Sequence, residues 1–244
     1  MRIVTWNVDK RLDLVKHLED LPADVLLLQE VRPSEELQRG LSRQGFIHQF
    51  IPDSQAVTNG RTCSAVFSRT EIAQMPSPND FEMSHLFCAV KLGSIEIVSC
   101  HIPNGSQYGG DVKQRHLLAA AQWISGRPNR LIAGDFNEPR LFKDGRALSW
   151  ADKDQKFDDW REAVSLLFNN QTLRHLCKDL HTENEPASWR SKGRVSEVPR
   201  WYDHALWNGP KLVCETSYLH DFNYTRNASD HSPLLIDLSH GLPT

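Results

Sequence analysis

The 244-residue sequence has no excess of positive charge: 28 Lys and Arg stand against 31 Asp and Glu, a formal net charge of −3. Binding nucleic acid through bulk charge alone is thereby excluded, whereas a local basic groove is not. Paired cysteines are missing as well. Cys63, Cys88, Cys100, Cys177 and Cys214 are odd in number, widely spaced and without a CxxC or Cys/His zinc pattern, which fits reduced thiols in a cytoplasm. The N-terminus lacks a charged region leading into an apolar signal core, so secretion is not expected. No apolar run approaches membrane-spanning length, and there is no low-complexity tract, internal repeat or convincing linker. What is left, 39% apolar and 24% charged residues, is the composition of a folded chain, expected to form one domain over residues 1–244 and to act as a monomer.

What the sequence does have is alternation of strand-like and helix-like segments. Arg2–Val8, Ala23–Val31, Phe46–Ile51, Ser64–Ser68, Leu86–Leu92, Ile95–Ile102, Arg130–Asn137, Trp201–Trp207, Lys211–Leu219 and Pro233–Leu238 read as strands. Helical spacing of apolar residues marks Asp13–Leu21, Glu35–Arg43, Asp111–Ser125, Asp158–Phe168 and Leu173–Leu180, with Trp160 expected in the core. Pro103–Gly110 and Thr182–Pro199 read as loops. The predicted fold is an α/β domain with two packed sheets and outer helices.

Several of the apolar runs end or begin in the same chemistry. Asn7 and Asp9 close the first, Glu30 the second and Asp135 with Asn137 the seventh, while Asp230 and His231 precede the last. Hard oxygen ligands without thiolates favour Mg²⁺, with Mn²⁺ as the alternative, over zinc. Glu30 is the first candidate ligand, and Asp9 and Asp230 are the next. Asp135 and Asn137 suit a water held between a carboxylate that accepts its proton and an amide that orients it. His231, if protonated, donates to a phosphoryl oxygen as charge develops there, and Asp203 is placed to orient it. His101 and Asn104 offer two further donors to a phosphate. Any one of these residues alone reads as readily as a cap or turn residue; together they form a constellation.

Thr5-Trp6-Asn7-Val8-Asp9, Leu28-Gln29-Glu30-Val31, His101-Ile102-Pro103-Asn104-Gly105, Gly134-Asp135-Phe136-Asn137, Tyr202-Asp203-His204 and Ser229-Asp230-His231 resemble, in order, the motifs of the endonuclease/exonuclease/phosphatase superfamily, which includes exonuclease III-like enzymes and deoxyribonuclease I. The resemblance implies a four-layer α-β-β-α sandwich and Mg²⁺-dependent hydrolysis of a phosphate ester. It further implies Glu30 as metal ligand with Asn7, Asp9 and Asp230 around the metal, Asp135 and Asn137 on the attacking water, and His231, backed by Asp203, on the scissile phosphate. By the same resemblance Asn104 helps bind that phosphate, and Asn7 is a further phosphate-binding candidate. His101 departs from exonuclease III-like enzymes, which tend to carry Tyr there, and is similar to deoxyribonuclease-like and several phosphatase branches. The Pro-Asn-Gly that follows is exonuclease III-like.

Basic clusters stand next to three of these motifs: Lys113, Arg115 and His116; Arg140, Lys143 and Arg146; and Arg190, Lys192, Arg194 and Arg200. Such clusters at the mouth of a catalytic cleft meet backbone phosphates, Arg190 and Arg194 above all, and Trp189 is suited to stack on a base. DNA is the expected substrate. RNA, a small or lipid-derived phosphate ester of the inositol phosphate type, and a non-catalytic binding module are the alternatives.

Overall fold

Strands rich in Val, Ile and Leu on both faces need cover on both sides, and the chain supplies it by stacking two sheets and plating each with helices. The computed structural model describes residues 1–11, 13–52, 61–78, 81–138, 161–181, 186–190, 200–210 and 213–238, with the backbone of Phe142–Lys143 and Arg146–Ala147. In chain order the elements are β1 (Arg2–Asn7), α1 (Leu14–Leu18), β2 (Val25–Val31), α2 (Glu35–Arg43), β3 (His48–Phe50), β4 (Cys63–Ser68), β5 (Ala73–Gln74), β6 (Phe87–Leu92), β7 (Ile95–His101), α3 (Gly105–Tyr108), α4 (Gly110–Ser125), β8 (Arg130–Asp135), β9 (Phe142–Lys143), β10 (Arg146–Ala147), α5 (Arg161–Phe168), β11 (Arg174–His175), β12 (Asp203–Asn208), β13 (Glu215–Tyr218), α6 (Asp221–Tyr224) and β14 (Leu234–Asp237).

One six-stranded sheet has the order β13-β14-β1-β2-β4-β3, the other β11-β12-β8-β7-β6-β5. Each is mixed. β1 and β2 run parallel, joined across α1, and β7 and β8 run parallel, joined across α4, whereas the remaining pairs are antiparallel. Side-chain alternation then sorts the apolar residues into layers. Ile3, Leu27, Val66, Ile97, Leu131 and Ala205 fill the space between the sheets. Val4, Trp6, Leu26 and Leu28 face outward onto Leu14, Leu18, Leu37 and Leu41 of α1 and α2. Val98, Cys100 and Ile132 face outward onto Leu117, Ala120 and Ile124 of α4 and Val164 and Leu167 of α5. This is the expected four-layer sandwich.

Local sequence explains most element ends. Ser34 Oγ accepts from the Leu37 backbone N–H at 3.1 Å and starts α2 where the apolar i, i+4 pair Leu37 and Leu41 begins. Other segments differ from their sequence reading. Leu173–Leu180, predicted as a helix, is a short strand followed by a single 3-10 turn at Lys178–Leu180. Arg174 and His175 pair with Trp207 and Leu206 at the free edge of the second sheet, and those ladder bonds override helical spacing. Pro103–Gly110 is not plain loop: Asn104 Oδ1 accepts from Ser106 N–H at 2.9 Å and caps the one-turn helix α3. The short helix α6 had no sequence expectation. Trp160, Arg140, Lys192 and Arg194 and the side chains of Lys143 and Arg146 lie outside the described residues, as does most of Thr182–Pro199.

Candidate active site

Two parallel pairs, β1/β2 and β7/β8, deliver their carboxyl ends to one end of the sandwich. The register opposes Asn7 to Gln29 in one sheet, and in the other it sets His101, Asp135 and Asp203 side by side on three adjacent strands. Just beneath, Gln29 Nε2 ties the sheets together, donating to Thr5 Oγ1 at 3.0 Å and Ser99 Oγ at 2.9 Å. The end above this tie opens into a cleft of about 490 Å³ whose lining includes Asp9, Glu30, His101, Asn104, Asp135, Asn137, Asp230 and His231.

Close approach of β8 to β7 depends on Gly134, whose φ is 149°; a Cβ there would lie 1.9 Å from the Cys100 carbonyl oxygen. Beyond it the strand stops, one residue pair earlier than its apolar run suggested. Asp135 Oδ1 accepts from the Asn137 backbone N–H at 2.7 Å, so a turn closed by the side chain, not strand alternation, brings Asn137 to Asp135. The same device recurs across the cleft, where Asn7 Oδ1 accepts from Asp9 N–H at 3.0 Å. Asp9, Lys10, Glu30 and Asn137 all have positive φ, between 47° and 62°, a conformation that non-glycine residues rarely keep unless their surroundings enforce it. Glu30 reaches it at an irregularity in the β2/β4 ladder between Leu28 and Val31.

Asn7 connects the two halves of the cluster. Its Nδ2 donates to Asp135 Oδ2 at 2.9 Å and to Glu30 Oε1 at 3.4 Å. Glu30 Oε2 pairs with Lys10 Nζ at 3.1 Å. Burial works to raise the Glu30 carboxyl, but His101, Lys10 and the Asn7 amide outweigh it and hold it below the ordinary glutamate range. On the opposite wall His231 Nδ1 sits 2.9 Å from Asp203 Oδ2. Burial opposes the imidazolium, yet Asp203, Asp135 and Asp230 together push it up to about 10. Burial raises Asp203 in turn and His231 pulls it back; the state we assign is a carboxylate beside an imidazolium, since each buried charge is compensated by the other. His231 Nε2 faces Asp135 Oδ2 at 3.7 Å and His101 Nε2 faces it at 3.8 Å, both too long for hydrogen bonds. Asn137 Nδ2 donates to the Ile102 carbonyl at 2.9 Å.

His231 is held at its backbone too. Its carbonyl accepts from Trp6 Nε1 at 2.9 Å, its N–H donates to Ser229 Oγ, and it bridges Trp189. The buried Lys113 Nζ donates to the Asn137 carbonyl at 2.9 Å and pairs with Glu138 Oε1 at 2.7 Å, supporting the Asp135–Asn137 turn from below.

Several basic residues stand elsewhere than their sequence position suggested. Lys113 is buried, Arg115 pairs with Glu82 and Asp111, and His116 is buried against Phe81. The Arg190 guanidinium lies over the Tyr224 ring and donates to the Asn223 carbonyl, and Arg190 does not line the cleft. Among the described residues the Lys and Arg side chains that line it are Lys10, Arg32 and Arg61, none of them picked out from sequence, although Lys10 adjoins Asp9 and Arg32 follows Glu30 by two residues. Trp189 lines the cleft as anticipated, with the Arg200 guanidinium 5.4 Å from its ring centre. Glu30, Asp9 and Asp230 bring carboxylate oxygens to the cleft, a donor type that fits a hard divalent cation, with Lys10 Nζ and His101 Nε2 at 3.1 and 4.0 Å from the Glu30 carboxylate.

The fold is shared with solved structures. An AP endonuclease from Archaeoglobus fulgidus superposes with a TM-score of 0.74 at 17% identity, with 98% of this chain and 99% of that chain covered. The 3′ phosphatase NExo from Neisseria, bound to a product DNA hairpin, and the 3′-5′ exonuclease NExo from Neisseria meningitidis give TM-scores of 0.71 and 0.69, each at 17% identity with the same coverage. No curated protein sequence matches the chain. The family model described as "Endonuclease/Exonuclease/phosphatase family" matches residues 4–231. The chain belongs to the endonuclease/exonuclease/phosphatase family and is a phosphoester-hydrolysing enzyme.

Proposed function

We propose that this enzyme hydrolyses a phosphoester in DNA with the help of Mg²⁺, or Mn²⁺ in its place. The observation that carries the reading is the convergence on Asp135: Asn7 at 2.9 Å, His231 at 3.7 Å and His101 at 3.8 Å surround one carboxylate oxygen in a cleft also lined by Glu30, Asp9 and Asp230.

In this reading Glu30, Asp9 and Asp230 hold the cation, with Asn7 positioning Glu30. When bound, the cation neutralises charge on the phosphoryl oxygens and makes phosphorus more open to attack. Asp135 takes the proton from the attacking water, its orientation set by the Asn137 N–H and the Asn7 amide. Asn137 Nδ2 is committed to a backbone carbonyl, which leaves Oδ1 to align that water. His231, protonated and held through Nδ1 by Asp203, turns Nε2–H into the cleft and donates to a non-bridging oxygen as negative charge builds there. The Asn104 amide NH₂ adds a donor, its carbonyl being already used as a cap, whereas His101 Nε2 lies 3.3 Å from the Asn137 Nδ2, which donates to it, so that His101 helps fix Asn137.

Two features favour DNA over a small ester. Lys10, Arg32 and Arg61 line the cleft with positive charge for neighbouring phosphates, and Trp189 adds an aromatic side chain to its lining. The AP endonuclease and 3′ phosphatase among the structural neighbours act in the same direction as support. A Mg²⁺ panel of duplex DNA, abasic duplex, 3′-phosphorylated duplex, single strands, RNA and an inositol phosphate tests the reading. Turnover of at least one DNA substrate well above the inositol phosphate and RNA is expected; turnover of the inositol phosphate or RNA alone overturns the DNA assignment while leaving the phosphoesterase intact.

A further inference from the structure

The cysteines show no zinc spacing in sequence, yet one of them stands in a cluster of imidazoles. His175, Cys177, His181 and His204 each bring one ligand atom to within 4.8 Å of all the others, at the edge of the second sheet where β11 joins β12. Cys177, His181 and His204 are buried and His175 is half-buried. Tetrahedral sites with bonds of roughly 2.0–2.3 Å place their ligand atoms about 3.3–3.8 Å apart. His175 Nε2 and His204 Nδ1 are already 3.0 Å apart, and Cys177 Sγ is 3.9 Å from the same His175 nitrogen.

Surrounding groups fix which nitrogens face the cluster. His204 Nε2 lies 3.0 Å from the Glu138 carbonyl, which only accepts, so the proton is on Nε2 and the lone pair on Nδ1. Tyr218 donates its only proton to the Asp203 carbonyl at 2.6 Å, so its oxygen accepts from His181 Nε2 at 3.0 Å and the His181 lone pair is on Nδ1. Partners of this kind orient metal-binding histidines in structural sites.

We propose that His175, Cys177, His181 and His204 form a closed, tetrahedral zinc site, separate from the active-site cleft. Three imidazoles and a thiolate are a donor set suited to Zn²⁺ and poorly suited to Mg²⁺. On binding, the thiol proton of Cys177 leaves to solvent as the sulfur–zinc bond forms. His175 moves its proton from Nε2 to Nδ1 and gives the cation the Nε2 lone pair. With all four positions filled by protein, the ion has no place for water or substrate. Its effect is to pin the β11–β12 edge. His204 follows Asp203 directly, and Tyr218, which orients His181, holds the Asp203 carbonyl; the zinc site thereby steadies the residue that orients His231.

The full chain, expressed with zinc and purified without chelator, should retain about one zinc per molecule by mass spectrometric metal analysis. Glu30→Gln should leave that content unchanged, because Glu30 is in the other site. Cys177→Ser and His181→Ala should each reduce it at least tenfold. Should either variant fail to fold, chelator-stripped wild-type protein titrated with Co²⁺ decides: intense visible bands of tetrahedral cobalt and a thiolate charge-transfer band support the site. Stripped wild-type protein without these bands overturns it, as does zinc content that Cys177→Ser and His181→Ala leave unaltered.

Discussion

His231 Nδ1 and Asp203 Oδ2 lie 2.9 Å apart in a buried position, with the His231 pKa pushed up to about 10. The folded-state pKa is raised, so the stabilisation from this pair is fully present below the unfolded value near 6.5 and is lost as pH rises through about 10. In metal-free protein, the His231 imidazole resonances should stay in the protonated position at pH 8. Asp203→Asn should return their titration toward the ordinary histidine range and lower turnover by roughly 10²–10³-fold. Titration of wild-type His231 near pH 6.5 would contradict the charged pair.

Asn7 donates to carboxylates of both sheets, Glu30 and Asp135. Asn7→Ala is expected to raise the Mg²⁺ concentration needed for half-maximal activity by roughly 10–100-fold and to reduce turnover at saturating Mg²⁺. An unchanged metal requirement in a Mg²⁺ titration would remove Glu30 positioning from its role.

Gly134 is the packing point between β7 and β8. Gly134→Ala pushes a Cβ into the Cys100 carbonyl in a backbone conformation that alanine disfavours, and a stability loss of about 3 kcal/mol is expected. Urea denaturation measures it. Stability equal to wild type would mean that β8 can shift without cost.

These features show what could be read from sequence and what could not. The helix Glu35–Arg43 was legible residue for residue, because an N-cap serine, a buried leucine pair and a following Gly45 are local signals. Glu30 and Asp135 were legible as polar residues at the ends of apolar runs, and His231 as one just before the last run. Leu173–Leu180 was not: its Leu173, Cys177 and Leu180 repeat at helical spacing, but sheet-edge pairing with a strand some thirty residues later decides its form. Lys113 read as a substrate contact because its partner Glu138 is distant in sequence and buried. Cys177 had no visible pattern because the ligand set mixes a short run with His204 from another strand.

Arg32 and Arg61 line the cleft rim. Replacing both by Ala should weaken DNA binding nearly uniformly across sequences and reduce the slope of log K against log salt by about 2. Binding measured by anisotropy between low and moderate salt checks this. A double variant with the wild-type slope would place the DNA path elsewhere.

Asp135 Oδ2 is where His231, His101 and the inter-sheet Asn7 amide meet, so its loss probes the proposed chemistry most directly. Asp135→Asn keeps an acceptor for the Asn137 N–H and should fold with a Tm close to wild type. Single-turnover rates on the best DNA substrate at saturating Mg²⁺ should fall by at least about 10³-fold, with substrate affinity changed only slightly. A rate within tenfold of wild type, in a folded protein, would contradict Asp135 as the proton acceptor and with it the proposed mechanism.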